Sequence, residues 1–518
     1  MALRVLMLGW EFPPFITGGL GTACYGLTRA LDRQHVEVTF VLPKTVPSES
    51  ASHVRLVSPG AIVERKPVDG KPLEKAKPTP NTVAPASRTA PVAAIAPPDA
   101  DMTVSERESW SRIVDEFEST RFIEIPGQYP SVYESKTSSE PSRIAESVRL
   151  MREAGWTIER IRTLAHAGAF PELTRDPVER ALETALPETA GRDRQASESR
   201  GAEAADYSGD LLGMADRYAR FAVDATRGLS FDVIHAHDWL TYPAGLAIAK
   251  LTGKPLIVHV HSTEFDRSGE HPNQQVYNIE RRGMHGATRA IAVSMLTKNV
   301  CVNRYGVPAA KIDVVYNGVD LDPADAGVQP IHSKDKIVLY FGRITMQKGP
   351  EYFIQAAKKV LEHMDDVKFV VAGSGDQAQR MIEMAAALGI GDKVLFTGFL
   401  RGRDIARVFA MADLYVMPSV SEPFGIAPLE AMSHNVPVLI SKSSGVSEVL
   451  MHALKVDFWD IEDMADKILA VLRHPPLSRQ LVEHGAFEIR GINWDGAAIR
   501  TARCYERAIA AASGSASY

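Results

Sequence analysis

The sequence predicts an α/β protein with two doubly wound parallel sheets that face each other across a cleft. Apolar runs rich in Val, Ile and Leu alternate with helical patterns along both halves of the chain, which is typical of parallel sheets built from βαβ units. A length of 518 residues is enough for two or more domains, each with its own core. Between the halves, residues 320–336 (DLDPADAGVQPIHSKDK) have the Pro, Gly and charge content of a linker.

The first predicted domain, residues 1–330, starts with strand LRVLMLGW, a glycine loop, helix TACYGLTRALD and strand EVTFVLP. It resumes with strands DVIHAH, PLIVHVHS, RAIAVS and KIDVVYN, which have helical patterns between them. The insertion that separates these two parts, at about 48–206, is rich in Pro, Ala, Lys and Thr over 65–105 and shows helical periodicity in later patches. We therefore expect a partly disordered and partly helical spacer without a catalytic residue.

The second predicted domain, residues 331–490, alternates helices with the strands KIVLYFGR, VKFVVAGS, KVLFTGF, LYVMPS and PVLIS. The chain after Leu469 is predicted to be mostly helical, with Trp494 and Tyr505 as anchors. Residues 491–518 are assigned to a separate C-terminal helix.

Composition excludes several classes of protein. The formal net charge of −6 argues against a general nucleic-acid binder. Three cysteines without a C-x-x-C pair indicate neither a disulfide scaffold nor a cysteine metal site and favour a reducing cytoplasm. The apolar N-terminus is predicted to be a buried first strand, not a signal sequence. No apolar run is long enough to span a bilayer, although peripheral membrane contact stays open.

The most informative run is SVSEPFGIAPLEAMSHNVPVLIS, in which Glu422 precedes a glycine turn and Glu430 falls on the second turn of a helix that begins near Ile426. Backbone N–H groups of residues 424–427 at that helix start form a natural anion site. Two carboxylates beside it suit a ligand that carries phosphate and polyhydroxylated rings, because carboxylates accept hydroxyl hydrogen bonds.

The motifs ITGGLG, HAHDW, VHS, YNGVD, FGR-x4-K, GSG and EPFG-x4-E occur in this order. With them the chain resembles the retaining nucleotide-sugar glycosyltransferases of the GT-B fold, namely the glycogen and starch synthases and their group 1 relatives, over most of residues 1–44 and 207–510. The resemblance implies two Rossmann-like domains around an interdomain cleft and a last helix that packs back on the first domain. It also implies transfer of a sugar, glucose in the first place, to a glycan acceptor in α-1,4-glucan elongation. Ile16 stands where bacterial glycogen synthases carry a lysine before the TGGL run.

The resemblance assigns roles residue by residue. The implied catalytic group comprises His261 near the reacting side of the donor sugar, Asp238, Glu422 on donor hydroxyls, and the cations Arg343 and Lys348. The last two would stabilise charge that develops on the departing diphosphate, which is work often done by a metal. The implied donor-binding group adds the glycine loops and the EPFG turn: Gly18, Gly19, Gly21, Gly342, Gly373, Gly375, Phe424, Gly425, Ile426, Ala427 and Glu430. No cofactor is expected and the transfer is expected to be metal-independent.

Other interpretations stay open at this point. His235, His237, His259 and His261 could bind zinc, although buried parallel strands commonly hold structural histidines, and we expect no metal site. A glucan phosphorylase would share the architecture but requires pyridoxal phosphate. The remaining alternatives are a group 1 transferase with another sugar acceptor and a non-catalytic glycan-binding module.

Overall fold

The computed structural model describes residues 3–12, 19–42, the backbone of 120–124, and residues 211–321, 334–400 and 403–514. It contains two parallel sheets flanked by helices, one of seven strands and one of six. Both sheets belong to one compact unit, Met1–Tyr129 and Ala204–Tyr518. The predicted α/β class with two doubly wound parallel sheets is confirmed.

The strands of the first sheet run in the order β3-β2-β1-β4-β5-β6-β7 and those of the second in the order β10-β9-β8-β11-β12-β13. Their bounds are Arg4–Leu8 (β1), Glu37–Leu42 (β2), Thr120–Glu124 (β3), Val233–His237 (β4), Leu256–Val260 (β5), Arg289–Ala292 (β6), Ile312–Val314 (β7), Lys336–Phe341 (β8), Val367–Ala372 (β9), Val394–Gly398 (β10), Leu414–Met417 (β11), Val438–Ser441 (β12) and Leu454–Val456 (β13). The order reverses direction next to β1 in the first sheet and next to β8 in the second. Such reversals open a crevice beyond the carboxyl ends of the strands.

The helices cover both sheets. Their bounds are Gly19–Arg33 (α1), Leu211–Ala225 (α2), Tyr242–Thr252 (α3), Glu264–Ser268 (α4), Gln274–Gly286 (α5), Met295–Tyr305 (α6), Pro350–Leu361 (α7), Ala378–Ala387 (α8), Arg403–Ala410 (α9), Ala427–Ser433 (α10), Ile461–Arg473 (α11), Pro475–Glu488 (α12) and Trp494–Gly514 (α13). Short 3-10 turns occur at Ala309–Lys311, Met346–Lys348, Gly445–Glu448 and Ile489–Gly491. No helix within the described ranges is long and apolar enough to cross a membrane.

The central strands are buried on both faces because helices cover both sides of each sheet. In β1 the side chains Val5 to Leu8 are at most 1% exposed, and every residue of β4 and β5 is buried. This explains why these strands are continuous apolar runs instead of alternating patterns. It also means that the polar residues inside them, His235, His237 and His259, lie in the core.

The insertion contributes a strand that the sequence analysis did not predict. β3 pairs in parallel with β2 and forms the edge of the first sheet. A second addition, β13, pairs with β12 at the edge of the second sheet. The expected disorder and helices elsewhere in the insertion lie outside the described residues.

The last helix follows the second sheet in sequence but packs against α1 and β4 to β6 of the first. Trp494 and Tyr505 are buried in the core cluster that includes Val5, Phe40 and Val233. The chain thus passes between the two halves twice, and the two passages touch. The N–H of Val319 donates to the carbonyl of Ile492 at 3.1 Å, and a Cβ at Gly318 would stand 2.3 Å from the carbonyl carbon of Asn493.

Candidate active site

The predicted site residues gather where parallel strands end. Asp238 and His261 follow β4 and β5 of the first sheet, whereas Arg343 and Lys348 follow β8 of the second. Glu422 follows β11, the neighbour of β8. The carboxyl edge of a parallel sheet is where such folds bind ligands, and it is reached here from both sheets.

The loops after β8 and β9 are bonded to each other through their backbones. The N–H of Gly342 donates to the carbonyl of Ala372 at 3.0 Å, and that of Ile344 to Ser374 at 2.9 Å. Gly373 has φ +147°, and a Cβ there would lie 1.8 Å from the carbonyl oxygen of Gly342. A glycine is therefore required at this contact, and Gly375 packs in the same way on Ile344, with a Cβ position 2.2 Å from its carbonyl oxygen.

Lys348 and Glu422 form an ion pair across two neighbouring loops. The loops are tied together because the N–H of Val420 donates to the carbonyl of Gln347 at 3.0 Å. Ser419 Oγ also donates to the Glu422 carboxylate, at 3.3 Å. Glu422 is 7% exposed, whereas the Lys348 side chain keeps 21% of its surface in solvent. The pair therefore places an accessible cation at the surface of the crevice and its carboxylate partner just below.

Arg343 lies in the loop that follows β8 and is half-buried. Its backbone is fixed by Tyr340, whose hydroxyl donates to the Arg343 carbonyl at 2.7 Å. The predicted cations therefore share one loop that follows β8.

The EPFG turn is held by a neighbouring strand-like segment. The N–H of Glu422 donates to the carbonyl of Ser443 at 3.0 Å, and the N–H of Val446 to that of Phe424 at 2.7 Å. Phe424 is buried, and the three residues that follow, 425–427, are half-buried. Helix α10 begins at Ala427, which places Glu430 in its first turn and not in the predicted second turn. The difference is within the one or two residues by which helix starts are uncertain.

Asp238 supports His261 through the backbone. Asp238 Oδ1 accepts hydrogen bonds from the N–H groups of His261 at 2.7 Å and Ser262 at 3.4 Å. Asp238 itself has φ +58°, an uncommon conformation for a residue with a side chain, and burial raises the pKa of its carboxyl to about 7. The residue His261 is half-buried, and desolvation of its imidazole lowers its pKa to about 3. The imidazole is therefore neutral at neutral pH.

The imidazole of His261 packs in one group with those of three buried histidines, His235, His237 and His259. His237 Nδ1 lies 2.9 Å from His261 Nε2, and His235 Nε2 lies 3.2 Å from His259 Nδ1. The other nitrogen of His235 is 2.7 Å from the Tyr505 hydroxyl. Burial lowers the pKa of all of them, so the rings are neutral and hydrogen-bond one another.

Two sets within this group bring potential metal ligands within 4.8 Å of one another: His235, His237 and His259, and Cys24, His237 and His261. The Nε2 atoms of His237 and His259 are buried and have no hydrogen-bond partner among the residues that the structure describes. The remaining ring nitrogens of the first set already bond each other, Tyr505 or His261, so a metal that used them would have to displace those bonds. The structural role predicted for His235, His237 and His259 stays a prediction, and metal content is a direct test of it.

The glycine loop after β1 differs from the prediction. Gly19 and Gly21 are the first and third residues of helix α1, so the chain is already helical where a loop was expected. Gly21 is buried and Gly19 is exposed. Gly18 and Ile16 lie outside the described residues. The contact of this segment with a phosphate or sugar stays a prediction.

Contacts between the halves of the crevice were not predicted, and two of them are made by side chains of the second half. Ser421 Oγ donates to Asp266 Oδ1 at 2.6 Å. The Glu448 carboxylate accepts from the N–H groups of Met295 at 2.8 Å and Leu296 at 2.7 Å, at the start of α6. No local pattern signals either contact, because the partners are more than 150 residues apart in sequence.

Comparison with family models covers much of the described chain. Residues 323–486 match the model of the group 1 glycosyl transferases, residues 189–323 that of glycosyltransferase family 4, and residues 4–76 that of the starch synthase catalytic domain. An uncharacterized glycosyltransferase of Methanocaldococcus jannaschii is 30% identical over 298 residues, which span 54% of this chain and 76% of the relative. A D-inositol 3-phosphate glycosyltransferase of Pseudarthrobacter chlorophenolicus is 30% identical over 304 residues, 54% of this chain and 71% of the relative.

Solved structures share the fold. The chain is similar to sucrose-phosphate synthase from Thermosynechococcus elongatus, with a TM-score of 0.58 and 17% identity over 98% of this chain and 100% of that one. It is also similar to Anabaena HepE in complex with UDP and glucose, with a TM-score of 0.55 and 14% identity over 98% and 100% of the two chains. These likenesses agree with the GT-B architecture that the sequence motifs implied.

Proposed function

Because this chain belongs to the group 1 glycosyltransferases, we propose that it transfers a hexose from a nucleotide-sugar donor to a sugar acceptor with retention of the anomeric configuration. The observation that carries this proposal is the Lys348–Glu422 ion pair beside Arg343, at the carboxyl ends of two adjacent strands. Lys348 and Arg343 supply two cations for a diphosphate, and Glu422 supplies a buried carboxylate for sugar hydroxyls.

The cations act on the leaving group. As the bond between the anomeric carbon and the diphosphate oxygen breaks, negative charge grows on that oxygen. A guanidinium and an ammonium held in place beforehand stabilise this charge more in the transition state than in the ground state. An ammonium has three donors, and Lys348 directs one to Glu422, so others remain for phosphate oxygens.

The remaining groups position the sugar. Glu422 and Glu430 accept hydrogen bonds from donor-sugar and ribose hydroxyls. The neutral imidazole of His261, fixed through its backbone by Asp238, lies at the reacting side. The acceptor hydroxyl attacks on the same face as the departing phosphate, its oxygen bonds to the anomeric carbon, and its proton passes to the diphosphate oxygen. A nucleoside diphosphate leaves, and the balance needs no metal.

For the acceptor, we propose an α-glucan elongated with glucose, in agreement with the match of residues 4–76 to the starch synthase domain. A second candidate is a phosphorylated sugar or cyclitol, which the D-inositol 3-phosphate glycosyltransferase relatives favour. Ile16 favours the second, because it removes the cation that bacterial glycogen synthases carry before the TGGL run. Three free and buried cysteines agree with the reducing cytoplasm in which we place the protein.

The test is donor turnover. Purified protein is incubated with UDP-glucose, ADP-glucose or GDP-mannose, each with maltooligosaccharides, glycogen or inositol 3-phosphate, and nucleoside diphosphate release is followed with and without EDTA. We expect acceptor-dependent and EDTA-resistant release from one donor, and an α-linked product by NMR. Release that disappears with EDTA, or a β-linked product, would contradict the mechanism. Failure of every pair would contradict the proposed donors and acceptors.

A further inference from the structure

Two hydrogen bonds join the two sides of the crevice next to Glu422: the Thr297 hydroxyl donates to the carbonyl of Pro423 at 3.3 Å, and Ser421 makes the shorter of the two. Ser421 lies after β11 of the second sheet and directly precedes Glu422, and its hydroxyl donates to Asp266 Oδ1 at 2.6 Å. Asp266 lies in α4, which follows β5 of the first sheet, and is 7% exposed. A bond from a hydroxyl to a buried carboxylate is charge-assisted and stronger than a neutral one.

The second oxygen of the same carboxylate fixes the turn that carries His261. Asp266 Oδ2 accepts from the N–H and from the hydroxyl of Thr263, both at 2.7 Å, in a capping box at the start of α4. Thr263 is only two residues after His261. Asp266 is therefore bonded on one side to the His261 turn and on the other to the residue before Glu422.

The turn that carries His261 is also stabilised by buried ion pairs. Arg267 pairs with Glu264 at 3.1 Å and with Glu280 at 2.5 Å, and these side chains are at most 8% exposed. Arg267 Nη1 also donates to Ser262 Oγ at 3.2 Å. Buried and fully paired networks of this kind rigidify the backbone that they support.

We propose that Asp266 is a positioning residue, which through Ser421 sets the spacing between His261 and the Lys348–Glu422 pair. The inference rests on the proposed function of those three groups, since Asp266 touches no reacting atom itself. Displacing reacting groups by even a fraction of an ångström reduces turnover while donor binding, which depends on many contacts, changes little. The bond is therefore expected to act on kcat more than on the donor KM.

The test uses Ser421→Ala, which removes the bond, and Ser421→Thr, which keeps a hydroxyl. Ser447→Ala is the matched control, since Ser447 is also half-buried and, within the described part of the chain, its hydroxyl bonds only carbonyls of its own loop. Ser421→Ala should lower kcat roughly 10-fold with the donor KM within about 2-fold, as expected for loss of one charge-assisted bond. Ser421→Thr should restore most of kcat. A kcat for Ser421→Ala within about 2-fold of that of Ser447→Ala would overturn the proposal.

A double-mutant cycle separates this inference from the proposed function. With Asp266 already replaced in Asp266→Ala, adding Ser421→Ala should have no further effect on kcat. The same cycle is measured on the Tm, which needs no substrate. The Tm loss of the double variant should be smaller than the sum of the Tm losses of the two single variants. Additive Tm losses would overturn the bond itself, whereas an inactive wild type with a non-additive Tm would overturn the proposed function and leave the bond intact.

Discussion

The buried imidazoles predict a specific loss of stability in mild acid. His235, His237 and His259 are at most 2% exposed, and burial lowers their pKa values, that of His235 to about 3. The unfolded chain therefore takes up three more protons than the folded chain below the ordinary histidine pKa. From about pH 7.5 to about pH 5.5 each such proton costs about 1.4 kcal/mol, and the three together cost about 4 kcal/mol. Including the partly exposed His261 would add at most about 1.4 kcal/mol.

Asp238 acts in the opposite direction. Burial raises the pKa of its carboxyl to about 7, so the folded chain takes up a proton in this window and the unfolded chain does not. The stabilisation is complete at low pH and is lost as the pH rises through about 7. It amounts to about 2 kcal/mol between about pH 7.5 and about pH 5.5. The net loss expected for the wild type is therefore about 2 kcal/mol.

The substitution Asp238→Asn separates the two effects, because the amide keeps an oxygen for the His261 N–H but binds no proton. Urea unfolding followed by circular dichroism at the two pH values should show a loss of about 4 kcal/mol in Asp238→Asn and about 2 kcal/mol in the wild type. His363→Asn, which removes an exposed histidine, is the control and should match the wild type. Equal losses in wild type and Asp238→Asn would refute the proton uptake by Asp238. No loss in either would refute the neutral buried imidazoles.

Three further predictions concern the second sheet and the insertion. Arg343→Ala should lower kcat by two or more orders of magnitude because a transition-state cation is lost. The control Arg380→Ala, on the exposed face of α8, should leave kcat unchanged. Equal kcat values for the two variants would contradict the role proposed for Arg343. Gly373→Ala should destabilise the protein by more than about 3 kcal/mol in urea unfolding. Gly389→Ala should cost about 1 kcal/mol, because Gly389 has φ +70° but its Cβ position has no described atom within 4 Å beyond its chain neighbours; similar losses would contradict the close contact at Gly373. Deleting residues 60–110, which spares β3, should leave donor turnover within a few-fold, and a folded but inactive deletion would show that the insertion shapes the crevice.

The sequence predicted the sheets because their strands carry their own signal. Runs such as VKFVVA in β9 are buried on both faces, and burial of this kind needs continuous apolar residues wherever the strand lies. The strand β3 carries a weaker signal. Its five residues, TRFIE, mix charged and apolar side chains inside an insertion of very different composition, and only pairing with β2 makes them a strand. Such edge strands depend on tertiary context more than on local preference.

The candidate site divides in the same way. The cations and carboxylates follow strands directly, so strand order alone brings Lys348 near Glu422. The partner of Ser421 could not be predicted, because Asp266 meets it only when two separate sheets come together. Gly19 and Gly21 show the limit at short range. A glycine-rich run permits a loop as well as a helix start, and the apolar residues that α1 buries from Leu20 onward decide for the helix.

The touching chain passages at Val319 and Ile492 have a mechanical consequence. Two bodies joined by adjoining chain passages can rotate about that junction as a pivot, but the rotation must break the contacts made away from it, such as Ser421 with Asp266 and Glu448 with the start of α6. Displacement then grows in proportion to distance from the pivot. Groups close to Gly318 keep their spacing during such a swing, whereas the far rim of the crevice travels most. Opening for exchange of substrate and product would thus cost little rearrangement near the pivot and much at the rim.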